Sequence, residues 1–275
     1  MQALNMTGML APSAIVDYIE HSAVEKSALP FSRLAVMAMI GGMFISLGGL
    51  LAVVVAGGSP ELMTSNPGLG KFLFGAVFPL GFIAVVLTGV DLFTSNCATQ
   101  MVPWQRKQLS SADVGRVWLL SYSGNFIGAV FTAWAFAYMT GIFKPNDPAT
   151  LYLLSVAHHK LENPFLMTFF KGILANILVC VAAWQAYSAK DTLGKMMGIW
   201  LPVMAFVALG MEHSIANMFF IPAAMLLGLD ASWGDFLLNN LLPATLGNIV
   251  GGALFIGLPY AWIFHQQKIS ELTHD

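Results

Sequence analysis

The sequence predicts an all-α membrane protein: six transmembrane helices in a three-plus-three inverted repeat, with helices 2 and 5 broken. Three observations carry that prediction. Apolar residues make up 57% of the chain and charged residues 9%, against about 25% charged in an ordinary soluble domain. Six apolar stretches, near 34–56, 72–90, 117–143, 165–187, 196–227 and 237–264, match the roughly 20 residues that a helix needs to cross a bilayer. Finally, the pattern G-x-[DE]-x-x-x-x-N occurs twice in apolar sequence, as Gly89, Asp91 and Asn96 and, 121 positions later, as Gly210, Glu212 and Asn217.

Along the chain, residues 1–30 mix Asp17, Glu20, His21, Glu25 and Lys26 with apolar residues. They have no apolar h-region, so no signal peptide is expected. Ile15, Val16, Ile19 and Val24 recur at helical spacing, which predicts an amphipathic helix lying on the membrane surface. Residues 31–265 are expected to form the six-helix transmembrane domain, and 266–275 a cytoplasmic tail. The first, third, fourth and sixth spans run without a break. The second stops at the repeated pattern and resumes over 97–102; the fifth does so over 218–227. Linkers such as Gly57-Gly58-Ser59-Pro60 and Lys144-Pro145-Asn146-Asp147-Pro148 carry the turn formers.

Three spans per half is an odd number, so the second half must enter the bilayer from the opposite side. Gly124-Asn125-Phe126-Ile127-Gly128 and Gly247-Asn248-Ile249-Val250-Gly251 repeat at an offset of 123 and support the same pairing. Orientation follows from the basic residues. With the N-terminus inside, the cytoplasmic segments hold Lys26, Arg33, Arg106, Lys107, Arg116, Lys190, Lys195 and Lys268, and the other side only Lys71, Lys144, Lys160 and Lys171. The positive-inside bias places both termini in the cytoplasm of a multi-pass inner or plasma membrane protein.

Polar groups at membrane depth are costly and mark a substrate or ion path. Gly89 and Gly210 permit the breaks, and Asp91 and Glu212 are expected to cap the half-helices that follow. Asn96, Asn217, Asn125 and Asn248 are expected to satisfy freed backbone groups. Two half-helix N-termini aimed at the midplane favour an anion. His213, at the second break beside Glu212, is the titratable group expected to face the path. Thr94 and Ser95 offer hydroxyls at the first break, and Asn176 adds an amide within an apolar span. Lys160, read as a loop residue after His158-His159, is expected to draw anions into a vestibule. Phe78, Phe82, Phe93 and Phe206 flank the breaks and suit hydrophobic constrictions.

No nucleophile elbow, phosphate loop, zinc-protease motif or dinucleotide fingerprint occurs. No enzyme activity, metal or cofactor is expected; Cys97 and Cys180 have no C-x-x-C spacing. The net charge of −2 gives no reason to expect nucleic acid.

Four strings resemble the formate/nitrite transporter family: Asp91-Leu92-Phe93-Thr94-Ser95-Asn96, Lys171-Gly172-Ile173-Leu174-Ala175-Asn176, Glu212-His213-Ser214-Ile215-Ala216-Asn217-Met218 and Pro243-Ala244-Thr245-Leu246-Gly247-Asn248. The resemblance runs over about residues 13–260. It implies an aquaporin-like fold, a homopentamer with one pore per protomer, and Thr94 facing His213 across that pore. It also implies that Lys160 and Asn176 bias the path toward anions. Phe78, Val179 and Phe206 would form one slit, and Phe82, Leu92 and Phe93 the other, with Phe82 departing from the family's leucine. The implied substrate is a small anion: formate first, then nitrite or hydrosulfide. The rival reading is a water or neutral-solute pore, but the Asn-Pro pairs, Asn66-Pro67 and Asn163-Pro164, sit in linkers.

Overall fold

The computed structural model describes residues 8–264, and those residues are helical apart from short connections and one isolated bridge between Met9 and Ala189. The helices are α1 (Pro12–Ser27), α2 (Phe31–Gly57), α3 (Pro60–Ser65), α4 (Pro67–Val77), α5 (Leu80–Thr88), α6 (Phe93–Thr99) and α7 (Met101–Gln105). Next come α8 (Ser111–Thr132), which widens into a π-helical turn at Ala133–Tyr138, then α9 (Pro148–Glu162) and α10 (Phe165–Ser188). The chain ends in α11 (Thr192–Ala208), α12 (Ser214–Leu226) and α13 (Leu242–Gly252), the last flanked by π-helical stretches at Asp235–Leu241 and Ala253–Gly257.

Local chemistry sets these ends. Proline opens α1, α3, α4 and α9, where its missing N–H is no loss. Ser110 and Asp113 form a reciprocal capping box at the start of α8. The Asp191 carboxylate accepts from the Gly194 N–H at 2.8 Å to start α11. Among the described residues, four helices are long and apolar enough to cross a membrane: Phe31–Gly57, Pro67–Thr88, Phe165–Ser188 and Asp235–Phe264. Thr192–Ala208 and Ser214–Leu226 are shorter apolar helices. The expected third span, α8, carries Asp113 and Arg116 in its first turns and is not among the four.

Two close helix crossings frame the core, and both are made by glycine. A Cβ on Gly128 of α8 would lie 1.9 Å from the Met39 carbonyl oxygen of α2, and one on Gly42 would lie 2.1 Å from that of Asn125. In the other crossing, a Cβ on Gly247 of α13 would meet the Phe169 carbonyl oxygen of α10 at 2.2 Å, and one on Gly251 that of Ile173 at 2.3 Å. Small residues let backbones approach in lipid, where packing rather than water drives association.

The N-terminal helix packs its apolar face on the other helices: Ile15, Val16, Ile19 and Ala23 of α1 are buried, and Arg106 holds Asp17 at 3.1 Å and also binds Glu20. One expectation needs correction. Residues 158–160 are not a loop; they form the last turn of α9, which Pro148 opens and Pro164 follows. The expected tail at 266–275, like residues 1–7, lies outside the described residues.

Candidate substrate path

The site is built on two places where a helical path stops and restarts. Helix α5 ends at Thr88, Gly89 takes φ +73°, and α6 starts at Phe93. Helix α11 ends at Ala208, Gly210 takes φ +68°, and α12 starts at Ser214. Left-handed φ values of this kind cost a side-chain-bearing residue about 1–2 kcal/mol, so glycine serves at both.

The backbone groups freed there are satisfied from neighbouring helices. Asn125 of α8 accepts from the Phe93 N–H at 2.9 Å and donates to the carbonyls of Ala38 at 2.6 Å and Asp91 at 3.0 Å. Asn248 of α13 does the same for the other break: it accepts from the Ser214 N–H at 2.8 Å and donates to the carbonyls of Gly172 and Glu212, each at 2.9 Å. Asp91 and Glu212, the expected caps, do not take these backbone N–H groups. Both carboxylates are buried and neutralise lysines instead.

Lys26 of α1 reaches Asp91 at 2.6 Å and the Asn96 side-chain oxygen at 2.8 Å. Asn96 donates to both Asp91 oxygens at 3.0 and 3.1 Å, and Ser121 donates a further bond to Asp91. Lys160 of α9 donates to Glu212 at 3.0 Å, which also accepts from Asn217 at 2.7 Å and Asn240 at 3.3 Å. Asn96 and Asn217 therefore hold carboxylates rather than freed backbone, again unlike the expectation. A buried charge needs a partner of opposite sign more urgently than a backbone N–H needs an anionic cap.

Lys26 is the residue that sequence reasoning missed. The signal was present: Lys26 stands four residues before Pro30-Phe31, as Lys160 stands four before Pro164-Phe165. K-x-x-x-P-F is thus a third doubled motif, and it marks the last turns of α1 and α9.

Between the two ion pairs, His213 Nε2 lies 3.0 Å from Thr94 Oγ1, with both residues buried. His213 also caps α12, its Nδ1 accepting from the Ala216 N–H at 3.1 Å. A nitrogen that accepts carries no proton, so a neutral ring must bear its hydrogen on Nε2 and donate it to Thr94. The Phe206 ring stacks on His213 with centroids 5.7 Å apart and meets Phe78 edge-on at 6.0 Å. Phe78, Phe82, Leu92, Phe93, Val179 and Phe206 are all buried. Tyr122 meets Phe93 edge-on, with centroids 4.9 Å apart.

Asn176 is held against the backbone of Thr94 and Asn248. Its amide hydrogens go to the carbonyls of Thr94 at 3.1 Å and Asn248 at 2.6 Å. Ser95 and Ser214 have buried hydroxyl oxygens without a partner among the described residues. A cavity of about 310 Å³ opens on the α9 side and reaches from Lys71 and His159 past Lys160 and Phe206 down to His213. On the α1 side a cleft of about 10 Å³ lies beside Lys26, Thr99 and Tyr187. Among the described residues, no three His, Cys, Asp or Glu side chains group to hold a metal.

Long apolar helices enclosing a buried, hydrogen-bonded Thr–His pair at two helix ends define a membrane transport protein. Its relatives agree. The chain belongs to the formate/nitrite transporter family, whose model matches residues 13–262. It is 40% identical over 254 residues to a probable formate transporter of Methanothermobacter thermautotrophicus, covering 87% of this chain and 91% of the relative. It is 34% identical to the formate channel FocA of Escherichia coli strain K12, over 98% of this chain and 99% of that one. A solved pentameric formate channel with formate bound superposes with a TM-score of 0.74 at 31% identity, covering 85% of this chain and 97% of that one.

Proposed function

We propose that this protein is a homopentameric channel for a small monovalent anion, formate in the first place, in the cell's inner or plasma membrane. Six spans form an inverted repeat: α2, α4 to α7, and α8 in the first half, and α10, α11 with α12, and the helix around α13 in the second. Both termini face the cytoplasm, and the cavity on the α9 side faces out. The observation that carries the reading is the Thr94–His213 hydrogen bond at 3.0 Å, a polar pair buried in an apolar bundle. The names of the relatives support formate as cargo, and the solved relative supports five protomers.

An anion entering from the cavity meets Phe78 and Phe206, where a bare charge has no water and costs several kcal/mol. His213 offers Nε2–H, and a carboxylate oxygen replaces Thr94 Oγ1 as its acceptor. Thr94, released as acceptor, orients the substrate with its own hydroxyl. Passage with a proton removes the charge from the slit. For His213 to carry that proton its Nδ1 must give up the Ala216 N–H, so ring protonation and loosening of the α12 N-terminus go together.

His213→Asn is expected to lower formate flux in proteoliposomes by about tenfold or more, the worth of one hydrogen bond to a charged group. It should also flatten the pH dependence of flux. Unchanged flux with an unchanged pH profile would remove His213 from the mechanism. Competition among formate, nitrite, hydrosulfide and lactate on one reconstituted sample ranks the substrates. Nitrite or hydrosulfide outcompeting formate would replace it as the cargo.

A further inference from the structure

The vestibule on the α9 side is lined by Lys71, Lys160 and Lys171, with Glu212 as the only carboxylate among the described residues lining it. These three lysines are not equivalent. Lys160 is an ion-pair partner: its ammonium donates to Glu212 at 3.0 Å, and Asn217, Asn240 and, at 3.5 Å, Asn163 donate to the same carboxylate. Its charge is compensated on the spot. Lys171 bonds only a neutral acceptor, the Asn163 side-chain oxygen at 3.3 Å. Lys71 opens into the same cavity, and no carboxylate lies within 4.0 Å of either ammonium among the described residues. His159 also lines the cavity, but it stands 3.5 Å from Glu162. Three lysines against one carboxylate leave two positive charges uncompensated, and the geometry identifies which two.

We infer that the anion-collecting site of this protein is formed by Lys71 on α4 and Lys171 on α10, and that Lys160 is the structural partner of Glu212. The site takes small monovalent carboxylates and similar anions from solution before they reach the Phe78–Phe206 slit. It rests on the anion-channel reading above and adds to it the groups that gather the substrate. A concave, low-dielectric mouth focuses the field of the two ammoniums and raises the local anion concentration. Beside the cleft of about 10 Å³ on the opposite face, the charge of Lys26 is matched by Asp91 at 2.6 Å.

The test is formate flux in proteoliposomes for the wild type and the K71Q/K171Q double variant, at low and high salt. Both lysines are at least partly exposed, so the double variant keeps the fold, and its maximal flux at saturating formate reports this directly. The KM is expected to rise about 3- to 10-fold at low ionic strength with maximal flux unchanged. The wild-type KM should rise with salt as the field is screened over about 10 Å, while that of the variant should stay flat. K71E/K171E should raise the KM further. A KM and salt dependence in K71Q/K171Q equal to wild type overturns the inference. So does an effect present only in vesicles of anionic lipid and missing in neutral ones, because the lysines would then serve headgroups. If the wild type itself carries no formate, the functional reading fails and not this assignment alone.

Discussion

Asp91→Ala is expected to destabilise the folded protein by about 3–5 kcal/mol, because it strands a buried cation. The carboxylate is fully buried and is the counter-ion of Lys26, whose side chain is 20% exposed. Asn96 and Ser121 donate to the same carboxylate and would lose their acceptor together. Helix α1 would lose its tether to the first break, leaving Arg106 with Asp17 and Glu20, and the bonds of Ser27 to Gln100 and Arg116, as its polar fastenings. Lys26→Met in the Asp91→Ala background removes the stranded charge and should recover part of the loss, whereas two independent sites would simply add. Unfolding in detergent, followed for the four corners of that cycle, measures both quantities. A loss below about 1 kcal/mol for Asp91→Ala, in the range of exposed pairs, would show that the pair contributes little.

Gly128→Val should yield no monodisperse protein. The first added carbon would sit 1.9 Å from the Met39 carbonyl oxygen and 2.8 Å from its carbon, both backbone atoms of α2. Neither can rotate away, so the helices must separate. Separation also pulls Asn125, three residues earlier on α8, from the Ala38 and Asp91 carbonyls and from the Phe93 N–H. Gly89→Ala is the informative contrast. Its backbone is left-handed, but nothing lies within 4 Å of the new carbon, so only about 1–2 kcal/mol of strain is expected and the protein should fold. Size-exclusion profiles of the two variants in the same detergent separate steric from conformational cost. A wild-type profile and melting temperature for Gly128→Val would refute the close-crossing account.

Much of the site was legible because the bilayer restricts which residues are tolerated. Glycine, carboxylate and asparagine inside apolar sequence are conspicuous, and they lie where the helical path stops at Thr88 and Ala208. His213 and Thr94 stood out for the same reason, as did the aromatic residues around them. Partner choice was not legible. Asp91 and Glu212 follow the breaking glycines by two residues, which suggests capping of the next turn. Their actual partners, Lys26 and Lys160, come from helices 65 and 52 positions away. Local spacing does not reveal a long-range charge that needs an acceptor more than a backbone amide does.

The same limit explains α1 and α9. Short helices of mixed polarity read as a surface element and a loop, because neither is apolar enough to count as a span. In the fold each ends in a lysine directed at a buried carboxylate. By itself the sequence determined the apolar, all-helical character of the chain and set glycine just past the helix ends at Thr88 and Ala208, since the energetics of lipid allow few alternatives. Only the tertiary structure decided that Asn125 and Asn248 cap the breaks, that Asn176 holds the Thr94 carbonyl, and that Lys71 and Lys171 keep uncompensated charge. Each of these depends on which buried donor meets which acceptor across helices, and packing sets that.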